Sequence, residues 1–336
     1  MAVPQTLAGM SAAQRNAYNM VLLQRALPYT PMFGSFGGSQ KASIAKHQGT
    51  TMEWRVYGGT TVATTGAGLA LATTALTEGV PPAETAITAA KVTKAVLQYG
   101  AWVKLSDLLV HQGIDPIWAE AYALLGEQAG QTLHTLLIND LAGGTNVQYA
   151  GAATSRVTVA STMILNGAEI REAVRTLKRA KVPRFGDGFY HGLIHPDQSY
   201  DLQNDADWKN MNVYNGGSAN NGNSLVKGTI GALHGVLFEE STDAPFFAGA
   251  GATGANVYAA LIYAPRWFGT VGLEAQPTAS VTDQGDSGIR ISGVPVETPT
   301  KDDALGQFGV AGWKTSYGAK ILREWVGLRI ETGATA

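Results

Sequence analysis

Apolar and polar residues along this chain divide it into blocks of different period. Residues 50–57, TTMEWRVY, are β-branched and aromatic and predict a strand. Residues 58–76 are Gly, Thr and Ala with almost no large side chain, and Leu76 to Pro82 then gives a turn signal. Residues 86–105 predict a second strand carrying Val92, Val96, Tyr99, Trp102 and Val103. Together these make a long hairpin with a small-residue tip, and a loop of that length in a compact domain is usually functional or disordered.

Asp115-Pro116 opens the clearest helix, since Asp suits the N-cap and Pro the first helical position. Trp118, Tyr122, Leu125, Ala129, Leu133, Leu137 and Leu141 keep a 3–4 spacing up to the Gly143-Gly144 stop. At 1.5 Å per residue the helix is roughly 40 Å long. A strand is expected at 155–160. A second helix is expected from Asn166 to Lys181, with Ile170, Val174 and Leu177 as its apolar stripe. Tyr190–Pro196 reads as a buried strand, Asn210–Asn223 as loop, 228–240 and 256–264 as strands, and 276–303 as polar turns. Tyr317–Glu331 alternates, with Leu322, Val326, Leu328 and Ile330 opposite Arg323 and Arg329, as in a half-exposed strand. Ahead of the hairpin, a short helix near 11–26 leads into an extended segment bearing Tyr29, Met32, Phe33 and Phe36. That segment is either a poorly ordered terminus or an arm that docks, and the apolar residues favour docking. The fold class is α+β.

Composition changes the picture in one respect. Of 336 residues only 15% are charged and 41 are Gly, while 45% are hydrophobic. This excludes intrinsic disorder and leaves few charges to cover a solitary molecule, which points toward assembly. The net charge of -2 conceals an asymmetry, because residues 1–52 contain no acid but hold Arg15, Arg25, Lys41 and Lys46. The absence of cysteine excludes disulfides, thiolate catalysis and cysteine-held metals. No basic, then apolar, leader is visible at the N-terminus. The two long uncharged runs, 56–77 and 244–265, are broken by Gly and Thr, so no membrane span is expected.

Candidate chemistry is sparse. Gly249 to Gly254 matches G-x-G-x-x-G, but it precedes a strand rather than a helix, so a loop is preferred to a dinucleotide site. His191 and His195 could share a strand face as a metal pair, yet no third ligand is near, and structural histidines are preferred. Ser106-Asp107 and Glu78 are polar anchors without an acid–base partner. Neither catalytic nor cofactor-binding residues are expected. Arg171, Arg175, Lys178, Arg179 and Lys181 form a basic helix face, either a solvated surface or a contact for nucleic-acid phosphates.

The ordered motifs Leu76–Pro82, Gln98–Asp107, Asp115-Pro116, Leu125–Ala129, Val147–Gly151, His195-Pro196 with Asp201-Leu202, Gly228–Gly231 with Gly235-Val236, and Gly312–Lys314 resemble the major capsid proteins of coliphage N-four and its relatives. The resemblance spans roughly residues 45–330 and implies the Hong Kong 97-type capsid fold. It implies an N-terminal arm at 1–48, an E-loop hairpin at 49–106, and a peripheral domain at 107–184 and 301–336 whose spine helix is 115–142. An axial domain would occupy 185–300.

It further implies a non-enzymatic subunit that builds hexamers and pentamers of an icosahedral or prolate head around double-stranded DNA. The protein would reside in the virion, and in the host cytoplasm before assembly. Arm and hairpin would contact neighbouring subunits through Phe33, Phe36, Trp54, Val56, Glu78, Val96 and Trp102, with intrasubunit core as the alternative role for some of Trp54, Val56, Val96 and Trp102. Arg15, Arg25, Lys41, Lys46, Arg171, Arg175, Lys178 and Arg179 would face the genome. No long charged helical segment precedes the hairpin, so a separate scaffolding protein or prior cleavage is expected, with a portal and a decoration protein as further partners. The alternatives are an encapsulin-like cargo shell and a nucleotide-binding enzyme using Gly249–Gly254.

Overall fold

The computed structural model describes residues 32, 38–45, 49–58, 73, 75–76, 78–79, 81, 84, 87–112, 117–209, 231–273, 290–294 and 303–335. The backbone of the molecule is helix α2, Ile117–Ala142, which follows a short helix α1, Asp107–Gln112. Leu125, Ala129, Leu133, Leu137 and Leu141 on α2 are buried, as their spacing predicts. Asp115 and Pro116, the expected start signal, lie outside the described residues.

Helix α2 packs on a sheet built around β13, Phe308–Ile321. Strand β4, Leu97–Ser106, runs antiparallel to β13 from Leu97↔Tyr317 to Ser106↔Phe308. Strand β12, Arg290–Val294, pairs with Val310–Lys314, and β11, Phe268–Leu273, pairs with Tyr317–Ile321. The indole N–H of Trp313 donates to Gln128 Oε1 at 3.2 Å and fixes sheet to helix.

A second sheet has the order β5-β14-β10-β6-β8-β7, with β9 beside β10. Its strands are β5 (Val147–Tyr149), β6 (Tyr190–Ile194), β7 (Ala232–Leu233), β8 (Val236–Glu240), β9 (Phe246–Phe247), β10 (Val257–Tyr263) and β14 (Gly327–Thr332). Helix α3, Gly167–Arg179, lies against β14. Asn166 caps α3, its Oδ1 accepting from Glu169 N at 3.0 Å, and Ile170, Val174 and Leu177 are buried as expected.

Several expectations need correction. Residues 155–160 hold a 3₁₀ turn at Arg156–Thr158, because Thr158 Oγ1 accepts from the Thr154 and Ser155 amides and bends the chain. The expected single strand at 317–331 is two strands, and β14 is buried at every position rather than half-exposed, since it lies between β5 and β10. Within the polar stretch 276–303, β12 forms because β13 offers it a partner. A helix, α4 (Pro196–Asn204), follows β6, with His195 Nδ1 accepting from Asp197 N at 3.2 Å as an N-cap. The sheets also cross the expected domain limits: β11 and β12 fall within 185–300 but pair with β13.

The described part of the arm docks on its own subunit. Strand β1, Gln40–Ile44, pairs in parallel with β11, from Gln40↔Gly269 to Ile44↔Leu273. Arg266 N donates to Gly38 O at 3.1 Å. Met32 is fully buried, and the Tyr263 hydroxyl donates to its sulfur at 3.1 Å. An unbranched thioether fills a gap among aromatic rings well, which explains this anchor.

Candidate functional site

The residues expected to meet other molecules fall on the hairpin, the arm and α3. Strands β2 (Thr51–Gly58) and β3 (Thr88–Ala95) pair antiparallel over eight positions and form a sheet of their own. Their alternation sends Trp54 and Val56 to one face and Glu53, Arg55 and Tyr57 to the other. Trp54 and Val56 are buried within the subunit, which is the core role expected as the alternative to a neighbour contact. Trp54 packs with Ile44, Val271 and Leu322, and Val96 lies half-buried against the same group. Lys94 Nζ reaches both oxygens of Asp140 on α2, at 2.7 and 2.8 Å, and ties the hairpin base to the body.

The outward positions tell a different story. Trp102 on β4 is 66% exposed, Tyr57 64% and Ile87 67%. Trp102 stands across from Gly312, where a Cβ would come within 2.9 Å of its own Cβ, so β13 carries no side chain there. On the same face of the sheet, Lys104 Nζ sits 3.6 Å from the centre of the Phe308 ring, a cation–π contact. Leu108 and Leu109 on α1 are also exposed. Glu78 is exposed in its turn, and Lys41 is exposed on β1. Phe33, Phe36, Arg15, Arg25 and Lys46 lie outside the described residues. The exposure of Tyr57 was not legible beforehand, because the strand pattern alone does not say which face is covered.

Helix α3 brings Arg171, Arg175, Lys178 and Arg179 together as expected, all exposed. With Val174 and His234 they line an open groove of about 560 Å³. Asp207 holds Arg171 at 2.9 Å and faces His234 Nε2 at 3.4 Å, and Glu172 holds Arg175 at 2.6 Å.

The other motifs are structural. Gly249 N donates to Asn256 Oδ1, Gly251 N to Ala255 O and Ala252 N to Val159 O, so the glycine loop spends its amides on the fold. A Cβ on Gly251 would strike Val159 O at 2.5 Å, which accounts for that glycine by packing. The loop opens no helix long enough to cradle a phosphate; it turns through Ala252–Gly254 into β10. His191 Nε2 pairs with Asp187 Oδ2 at 2.8 Å and its ring stacks on Phe185 at 3.8 Å, while His195 caps α4. Among the described residues no group of three His, Cys, Asp or Glu could hold a metal ion. Nor is any described helix long and apolar enough to cross a membrane.

Two buried charge clusters were not legible beforehand. Glu331 is fully buried and accepts two bonds from Arg156, at 2.9 and 2.6 Å, with Arg329 Nε 2.8 Å away. The Arg156 guanidinium lies over the Phe247 ring at 3.5 Å. Bonding to Glu331 raises the pKa of Arg156, whereas burial lowers that of Arg329. On α2, His134 is fully buried 3.3 Å from Asp243, and burial lowers its pKa despite that carboxylate.

The family model described as "Phage capsid protein" matches residues 89–328. No curated protein sequence matches the chain. Among solved structures it is similar to the capsid of Ralstonia phage GP4, with a TM-score of 0.66 and 14% identity, covering 90% of this chain and 89% of that one. It is similar to the capsid of Cyanophage Pam1, with a TM-score of 0.61 and 14% identity, covering 99% and 96%. The capsid of Helicobacter pylori bacteriophage KHP30 gives a TM-score of 0.61 at 9% identity, covering 89% of each chain. These similarities show the fold, the α+β Hong Kong 97-like capsid fold. With its family model covering 240 residues, from 89 to 328, this chain belongs to the phage capsid protein family.

Proposed function

We propose that this chain is the major capsid protein of a tailed phage of the coliphage N-four type, acting by geometry rather than catalysis. Copies of it form the hexamers and pentamers of a head that encloses double-stranded DNA. In this reading the subunit gathers in the host cytoplasm, with a scaffolding protein, a portal and a decoration protein as partners, and ends in the virion.

One observation carries the reading. The β2–β3 hairpin is a two-stranded sheet separate from both larger sheets, with Tyr57 turned outward, and the adjoining β4 exposes Trp102. A lone two-stranded hairpin is marginal in water, and an exposed Trp is a common anchor at interfaces. The hairpin's inner face is covered by its own subunit, and a neighbouring subunit covers the outward face that bears Tyr57 and Trp102; contacts of this head-to-tail kind close into rings. Phe33 and Phe36 belong to the same proposal as arm contacts, and Glu78 as a contact at the hairpin tip. Strand β13 and α2 belong to the peripheral part, and the β6–β10 region with β14 to the axial part.

The test is electron microscopy of the purified protein, alone and with the product of its neighbouring gene. Closed shells are expected. A protein that stays monomeric at high concentration with its scaffold present refutes the reading. Deleting residues 58–76 should leave the subunit folded and block or alter closure; normal shells from the deletion refute the hairpin's role.

A further inference from the structure

We infer that the groove between α3 and the β7–β8 turn is a binding site for the phosphodiester backbone of duplex DNA. This rests on the capsid reading for its setting and deepens it by naming a site and a ligand geometry. Arg171, Arg175, Lys178 and Arg179 recur at four-, three- and one-residue steps, which places the first three on one side of the helix. His234 closes the groove from the β7–β8 turn, where it holds φ 50 next to Gly235 at φ 89.

The chemistry selects the ligand. Three of the cations are arginines, whose planar fork matches phosphate oxygens two at a time. Among the described residues Arg171 and Arg175 are held by the half-exposed Asp207 and the exposed Glu172, and such solvent-accessible pairs are weak enough to exchange for a phosphate. Lys178 and Arg179 have no carboxylate partner among the described residues. Among the described residues Val174 is the one apolar lining residue, so they offer no pocket for the aromatic or aliphatic anchor of a protein partner. Among the described residues no Phe, Tyr or Trp lines the groove as a platform on which single-stranded bases could stack. Asn and Gln, which read adenine edges, are absent from the described lining as well. What remains is backbone contact without sequence reading.

The experiment is fluorescence anisotropy of a labelled duplex with the full-length unassembled subunit, titrated between 50 and 200 mM salt. The four groove cations contribute about -3.6 to the slope of log K on log salt, beside the arm's own share. Lys178→Gln with Arg179→Gln, both exposed, should make the slope shallower by about 1.8, while Lys178→Arg with Arg179→Lys should keep the wild-type slope. An unchanged slope in the Gln variant overturns the inference. Tighter binding of a single strand than of the duplex overturns the duplex geometry. Displacement of the duplex by polyglutamate at equal charge overturns the choice of phosphate over an acidic peptide. Sedimentation of the same preparations under assembly conditions reads shell formation separately, so shells without the salt response remove the groove and leave the capsid reading standing.

Discussion

Replacing Gly38 with Ala should detach the arm from the body of the subunit. Gly38 has φ +55, and a Cβ there would overlap Phe185 Cε1 and lie 2.8 Å from Cζ. The left-handed conformation costs a non-glycine residue about 1–2 kcal/mol. Phe185 cannot swing away freely, because it stacks on His191 at 3.8 Å with an interplanar angle of 4° and meets Tyr263 edge-on. Forcing a methyl into such a packed site costs about 1–3 kcal/mol. The sum is about 2–5 kcal/mol, or roughly 30- to several-thousand-fold in the docking equilibrium. The body has its own core, so the arm is the part that gives way. Hydrogen exchange is the assay, read at the Gln40–Ile44 amides, whose strand pairs with β11. Protection there should fall by that factor while α2 stays unchanged. In the Phe185→Ala background the methyl meets no ring, so Gly38→Ala should cost only its backbone share. Unchanged β1 protection in Gly38→Ala, or the same loss with and without the Phe185 ring, would refute the reasoning.

Three further outcomes follow from the buried contacts. Glu331→Gln leaves two guanidinium groups facing an uncharged amide, one of them buried, and should cost about 3–5 kcal/mol in a urea melt. His134 has its pKa lowered by burial from 6.5, so the unfolded chain binds its proton first. Stability should therefore fall as pH drops below about 6.5 and level off below the folded pKa. His134→Gln should flatten that part of a Tm–pH profile, and an equally steep profile would count against this assignment. Lys94→Ala removes the two-oxygen contact with Asp140 and should cost about 1 kcal/mol, with faster exchange in β3 than in β10 as the local signature.

The hairpin, α2 and α3 were legible in the sequence because each repeats one local period over many residues. Strand β1 was not, because QKASI has little apolar alternation and is a strand by virtue of β11, more than two hundred residues away. Helix α4 was hidden because its cap is a histidine accepting from an amide, an unusual cap, behind a sequence that reads as the end of a strand. Trp54 and Trp102 show the limit for the candidate surfaces. Both are aromatic residues on hairpin strands, yet one fills the subunit's own core and the other faces out. Strand period tells which residues share a face, and only the tertiary fold tells which face is covered. The basic face of α3 was legible as a stripe, whereas its groove required His234 from a distant turn.

Strand β3 runs into β4 with a single residue between them, and β4 then lies antiparallel along ten residues of β13. A pull on the hairpin along the strand direction therefore reaches the body as shear. Its hydrogen bonds are loaded side by side, and none can open first to start a tear. The far edge of β13 is gripped by β11 and β12, and its face by α2, so the load spreads into both the sheet and the helix. A force that would unzip a peeled hairpin one pair at a time must here break many pairs at once, so this strand pair outlasts a hairpin that is peeled open.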